Sequence, residues 1–141
     1  MAVSAFTRFE KFSEDLAKKV HNLSADALKV FLSNTTPNAA TMSVKTDLTE
    51  ISAGNGYTAG GASATNGFSR TGAVSSITGV DIVWTASGGT IGPFRYPTLY
   101  NDTPTSPADP LIGWWDYGAA ITLGDTEPFT TDFGSSMFTV G

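Results

Sequence analysis

Cysteine is absent from this 141-residue chain, so it has no disulfide, no thiolate zinc site and no thiol nucleophile. That absence leaves the redox compartment open. Histidine occurs once, at His21, which excludes a two-histidine metal site or a histidine proton relay within one chain. Charge is also sparse. Charged residues make up 15% of the chain against 40% hydrophobic ones, which is too apolar for a disordered tail. Eight basic residues against thirteen acidic ones leave a net charge of -5. A nucleic-acid binder needs a basic face to displace counterions, so direct nucleic-acid binding is not expected. No run approaches the roughly 20 apolar residues of a membrane-spanning helix, and no membrane association is expected. Glu10, Glu14 and Asp15 interrupt residues 6–20, where a secretory signal would be uniformly apolar. The expectation is a protein made and folded in the cytoplasm.

What remains is the size of one domain, 1–141, long enough to hide roughly 70% of its unfolded surface. It has two unequal parts. Residues 1–45 hold six of the eight basic residues and four acids, for +2, and residues 46–141 carry -7. The pattern changes along with the charge. In Ala5 to Val20, the residues Phe6, Phe9, Phe12, Leu16 and Val20 recur at helical spacing, which predicts one amphipathic helix over 5–20. Ser4 or Thr7 would cap its start, and Asn22 would terminate it in the left-handed conformation. Lys18, Lys19 and His21 at its end suit the helix dipole, and Glu14 precedes Lys18 by four residues in the favourable order.

From residue 27 onward the chain reads as strands and turns. The candidate strands are Ala27 to Ser33, Val80 to Thr85, Phe94 to Tyr100, Leu111 to Tyr117, Ala120 to Leu123 and Met137 to Val140. Between them lie turn-forming clusters such as Asn34-Thr35-Thr36-Pro37, Ser87-Gly88-Gly89 and Pro107-Ala108-Asp109-Pro110. Pro97 suggests an edge strand or a bulge. Short strands at such spacing point to a mainly antiparallel β sandwich or barrel over 27–141. Residues 52–76 are mostly Gly, Ser, Ala, Thr and Asn without a clear period. They read as a long loop, mobile in the free protein and ordered by a partner through Tyr57 and Phe68.

Residue patterns that carry chemistry are few. His21 sits at a helix end among Lys19 and Asn22, where a dipole partner or an exposed residue is the plainer reading than a catalytic base. Gly54 to Gly61 lacks the Gly-Lys-Ser/Thr and the following helix of a phosphate loop, and reads as turns needing positive φ. Asp81, Asp102, Asp109, Asp116, Asp125, Glu127 and Asp132 show no calcium-ligand spacing, and most flank turns. No catalytic residue, cofactor or metal is therefore expected. Trp114, Trp115 and Tyr117 form the most unusual cluster. On a strand, Trp115 and Tyr117 share one face while Trp114 takes the other. One indole suits a core. The other face suits a protein interface or a sugar platform.

Several of these segments resemble a family of small tailed-bacteriophage virion structural proteins. They are Phe9 to Leu23 (FEKFSEDLAKKVHNL), Leu28-Lys29-Val30, Asn34-Thr35-Thr36-Pro37, Gly54 to Gly61, Ile91 to Asp102 and Pro110 to Gly118. The resemblance spans most of the chain. It implies a head decoration, or cement, protein on the capsid surface of the virion, with a jelly-roll-like fold and no catalytic residues. The implied partners are the major capsid protein and further copies of the chain itself, as a dimer or trimer. A tail or fibre-adaptor component, including a carbohydrate-binding tip, is the alternative. The candidate interface residues are Phe6, Phe9, Phe12, Tyr57, Phe68, Trp114, Trp115 and Tyr117.

Overall fold

Residues 28–33, Leu-Lys-Val-Phe-Leu-Ser, are apolar at four of six positions and alternate their larger side chains between two directions. A strand of this kind needs cover on both faces. The computed structural model, which describes residues 5–141, provides it. The elements in chain order are β1 (Phe6–Arg8), α1 (Glu10–Ala17), β2 (Leu28–Ser33), a 3-10 turn (Lys45–Asp47), β3 (Ala62–Ser63), β4 (Gly67–Thr71), β5 (Val74–Thr78), β6 (Ile82–Thr85), β7 (Ile91–Phe94), β8 (Tyr96–Asn101), β9 (Leu111–Trp115), β10 (Ile121–Leu123), β11 (Pro128–Thr131) and β12 (Phe138–Val140). The chain is mainly β, and every named strand pairing is antiparallel.

The largest sheet has the order β1-β9-β8-β2-β3. One face carries Leu28, Val30, Leu32, Leu99, Ile112 and Trp115 into the main core. The smaller sheets β10–β7, β11–β6 and β12–β5–β4 supply the other side of that core with Ile77, Trp84, Phe94, Phe129 and Phe138. The second face carries Phe31, Tyr100 and Leu111 under a cover made by Phe9, Leu48, Met42 and Trp114. Rings meet rings throughout: Phe94 and Phe129 are 4.9 Å apart and edge to face, while Trp115 lies 5.4 Å from Phe133. Such pairs add about 0.5–1.5 kcal/mol each beyond the area they bury.

Two glycines record how tightly the backbones approach. A Cβ on Gly113 of β9 would lie 2.3 Å from the Phe6 ring and 2.5 Å from the Thr7 carbonyl oxygen. Gly61, at φ +82°, lies so close to β2 that a Cβ would sit 1.8 Å from the Val30 carbonyl oxygen. No side chain fits at either position without moving a strand.

Three expectations need correction. The helix covers only Glu10–Ala17, because Phe6, Thr7 and Arg8 pair with Trp115, Trp114 and Gly113 on the edge of β9. Strand pairing thus overrides a helical spacing of phenylalanines, and Phe9 and Phe12 turn into different clusters. Ser4 lies outside the described residues, Thr7 is in β1, and Phe9 is the N-cap without a side-chain hydrogen bond. The left-handed terminator is Lys19 rather than Asn22. Lys19 takes φ +64°, and the Lys19 and Val20 amides donate to the Leu16 and Asp15 carbonyls, which is a Schellman closure.

The second correction concerns residues 52–76. They contain β3, β4 and the start of β5, and β4–β5 is a hairpin with Thr71 opposite Val74 around Gly72-Ala73. The segment is built into the chain's own fold. The third concerns Pro97, which lies in the interior strand β8 rather than at an edge. The ladder to β9 steps over it: Thr98 pairs with Trp114, and the next contact is the Tyr117 amide on the Arg95 carbonyl. Pro97 therefore deprives no partner of a donor.

Phe9 and Trp115 are 1% and 5% exposed. Phe9→Ala and Trp115→Ala are each expected to cost about 3–5 kcal/mol in urea unfolding, whereas Phe68→Ala should cost under about 1 kcal/mol. An unchanged midpoint for Trp115→Ala would contradict this packing.

Candidate functional site

The eight aromatic residues singled out by sequence do not form one surface. Phe9, Phe12, Tyr57 and Trp115 are core residues of the single chain, so they are corrected as interface candidates. Phe6 is half-buried, 4.9 Å from the Trp115 ring and stacked 5.3 Å from Phe138. Trp114 is half-buried on the opposite face of β9, 4.7 Å from Phe9. The indoles do alternate as a strand requires, but neither offers an open platform for a sugar ring. Only Phe68 and Tyr117, at 47% and 42%, are exposed. Tyr117 lies past the end of β9 with its ring edge on Phe129, beside the bidentate Arg95–Asp116 pair at 2.7 and 3.1 Å.

Tyr57 shows why the Gly-rich segment is anchored. Its hydroxyl donates to Glu50 Oε2 at 2.7 Å and accepts from the Leu32 amide at 3.1 Å. The Gly60 amide donates to the same carboxylate oxygen at 2.6 Å, and Lys45 Nζ pairs with Oε1 at 2.7 Å. Tyr100 completes the buckle by donating to the Gly60 carbonyl at 2.7 Å. The Lys45 ammonium sits 5.0 Å over the Phe31 ring. Burial works against the Glu50 charge, but Lys45, Tyr57 and the Gly60 amide outweigh it and hold its carboxyl below the usual range. Burial drives both phenols, Tyr57 and Tyr100, well above their ordinary value. This network ties residues 45–60 to β2 and β8.

The second polar centre surrounds His21, which is buried rather than an exposed dipole partner. The Asn101 amide nitrogen donates to Asp26 Oδ2 at 2.7 Å, and its oxygen accepts from the Thr103 amide at 3.1 Å. Those two bonds fix the orientation of the amide. The same nitrogen, 3.1 Å from His21 Nδ1, therefore donates to the ring, and His21 is neutral with its proton on Nε2. His21 Nε2 and Asp15 Oδ2 are buried without a hydrogen-bond partner, while Asp15 Oδ1 accepts from Lys11 at 2.5 Å. Burial lowers the His21 pKa, against the opposing charges of Asp15 and Asp26. Sequence alone singled out His21 but not Asp15, Asp26 or Asn101, since nothing in their spacing shows that residues 75 to 80 positions apart in the chain converge.

Beside this centre runs an apolar groove of about 370 Å³ between the end of α1 and the inner face of the β12–β5–β4 sheet. Leu16, His21, Leu23, Phe68, Ile77 and Val140 are among its lining residues. Above it stands the β4–β5 hairpin, with residues 68–74 all exposed. A second, more polar groove of about 440 Å³ lies between Thr35, Thr49, Glu50 and Pro93. Among the described residues no cluster of three His, Asp or Glu side chains could hold a metal ion, and no helix is long and apolar enough to cross a membrane.

A histidine whose folded pKa is depressed leaves stability intact above its unfolded pKa of about 6.5. Stability is lost as the pH falls below that value, because the unfolded chain takes up a proton that the folded chain resists. Unfolding free energy should thus fall by up to about 1.4 kcal/mol per pH unit below about 6.5. His21→Gln, which keeps an acceptor for Asn101, should flatten that slope. Urea unfolding of both proteins between pH 7 and 5 measures this, and equal slopes would contradict the neutral buried ring.

Comparison of the chain with protein-family models, with curated proteins and with solved structures gives no match, so the functional reading stands on sequence and geometry.

Proposed function

We propose that this chain is a non-enzymatic structural protein of a tailed-bacteriophage virion that decorates and stabilises the capsid shell. In this reading its partners are the major capsid protein and further copies of itself, as a dimer or trimer. It is made in the host cytoplasm and works on the capsid surface. The segments that resemble phage virion proteins motivate the proposal. The observation that carries it is the combination of an aromatic-filled body with an exposed hairpin, residues 68–74, standing over an apolar groove. A shell component has to hold its shape while it presents a repeated contact surface, and many weak contacts on a lattice add through effective concentration.

The fold suits the same reading. Neighbouring strands in the large sheet come from distant parts of the chain, β1 with β9 and β2 with β8, as in a jelly roll. The bonds of Glu50, Tyr57 and Asn101 in the two polar networks join separate segments of the chain, which supports a structural role over catalysis. The tail or fibre-tip alternative leaned on the tryptophans as a sugar platform. It is less favoured, because Trp115 is buried and Trp114 packs on Phe9.

The test is co-sedimentation with purified phage heads that lack the protein. The expected result is saturable binding at a copy number set by the shell lattice, together with a higher temperature for loss of packaged DNA. Failure to pellet with heads at saturating protein, or binding confined to the tail vertex, would overturn the proposal.

A further inference from the structure

We propose that the free edge of β4 is a self-association surface, on which a second copy of this chain pairs antiparallel about a two-fold axis through Ser69. This rests on the reading of the protein as a self-associating shell component, and it names the surface involved.

The two-residue turn at Gly72-Ala73 makes Thr71 and Val74 a hydrogen-bonded pair, and bonding alternates from there. Ser69 with Ser76 and Gly67 with Thr78 then also bond inside the hairpin. Residues 75 and 77 of β5 turn towards β12, and the Met137 amide does donate to the Ile77 carbonyl at 2.7 Å. On β4 the same alternation turns the N–H and C=O groups of Phe68 and Arg70 outward. No strand pairs with that edge among the described residues.

Natural proteins blunt such edges with short strands, bulges, proline or charged side chains. Most edges here follow that rule. β3 has two residues, β1 and β12 have three, β10 carries a register shift, β7 contains Pro93, and β11 begins at Pro128. β4 is five residues in regular register without proline, and its one charge, Arg70, meets no like charge when two copies pair.

The outward groups are symmetric about Ser69. Antiparallel pairing of two copies sets Phe68 opposite Arg70 of the second copy, and Arg70 opposite its Phe68, so each pair exchanges two backbone hydrogen bonds. Arg70 is the only charge on the strand, so no like charges stand opposite each other. Phe68 and Arg70 lie on the same face as Ile77 and Ser75, their partners in β5. The guanidinium of the second copy is thereby set against a phenylalanine that is 47% exposed, the arrangement of a cation–π pair. The result is one continuous sheet of six strands.

The chain has no cysteine, so single cysteines report the register directly. At the dyad, Ser69 and its copy form a non-hydrogen-bonded pair with Cα atoms about 4.5 Å apart, within disulfide range. Thr71 and its copy are about 14 Å apart and out of range. Ser69→Cys is therefore expected to give a covalent dimer under mild oxidation, and Thr71→Cys is not. Arg70→Pro removes an outward donor and leaves the backbone bonds of the hairpin in place, losing only the exposed bond from the Arg70 guanidinium to the Gly72 carbonyl. It should weaken the dimer about tenfold or more in sedimentation equilibrium, with unchanged thermal unfolding. A wild-type chain that stays monomeric at every concentration overturns the proposal, as does an Arg70→Pro chain that dimerises as wild type does, or equal cross-linking of both cysteine variants. These assays use no phage heads, so their outcome is independent of whether the protein binds a shell.

Discussion

Strand β8 is buried from Tyr96 to Asn101, and a strand buried on both faces has to find two covers. Much of the molecule follows from that need. Leu99 faces the main core, while Tyr100 faces the smaller cluster built by Phe9, Phe31, Leu48 and Leu111. The first cover comes from the three small sheets. The second has to come from chain segments that are not strands, and that explains the path of residues 34–51. They pass beneath the large sheet and insert Met42 and Leu48 against Phe31 and Tyr100.

Segments without strand pairing need other hydrogen bonds, and the buried polar residues supply them. Glu50 gathers the Tyr57 hydroxyl, the Gly60 amide and Lys45 at one carboxylate. Asn101, at the far end of β8, gathers His21, Asp26 and Thr103. The Asn66 side chain links the same region to β2 by accepting from the Leu28 amide and donating to the Asp26 carbonyl. These polar groups fasten loops to the central strands. Depriving a buried member of its partner would leave an uncompensated group, which typically costs about 1–3 kcal/mol.

Six apolar runs were legible in sequence as strands. Those at 27–33, 80–85, 94–100, 111–117, 120–123 and 137–140 each hold most or all of a strand, because burial demands β-branched and aromatic residues there, whereas β7 and β11, short and carrying Pro93 and Pro128, were not legible. β4 and β5 read as loop. Gly-Phe-Ser-Arg-Thr faces solvent over most of its length and Val-Ser-Ser-Ile-Thr is mostly half-buried, so only Ile77 leaves a core signature. β1 was hidden by the spacing of Phe6, Phe9 and Phe12, which is compatible with a helix until Gly113 opens a place for the Phe6 ring. The abundance of aromatic residues suggested an external surface. Most of them are consumed by the core, and the candidate site passed instead to a hairpin with one exposed phenylalanine. Composition does not distinguish these uses, because burial depends on which strands become neighbours.

The central claim is that the aromatic residues hold the body rigid and leave the β4–β5 hairpin as the working surface. Hydrogen exchange of the chain, free at low concentration and bound to phage heads, tests it most directly. Amides of β2, β8 and β9 should exchange slowly in both states, while those of Phe68 and Arg70 exchange fast in the free chain and slowly on the shell. Equal exchange at Phe68 and Arg70 in the two states, with new protection appearing around Trp114 instead, would contradict the account.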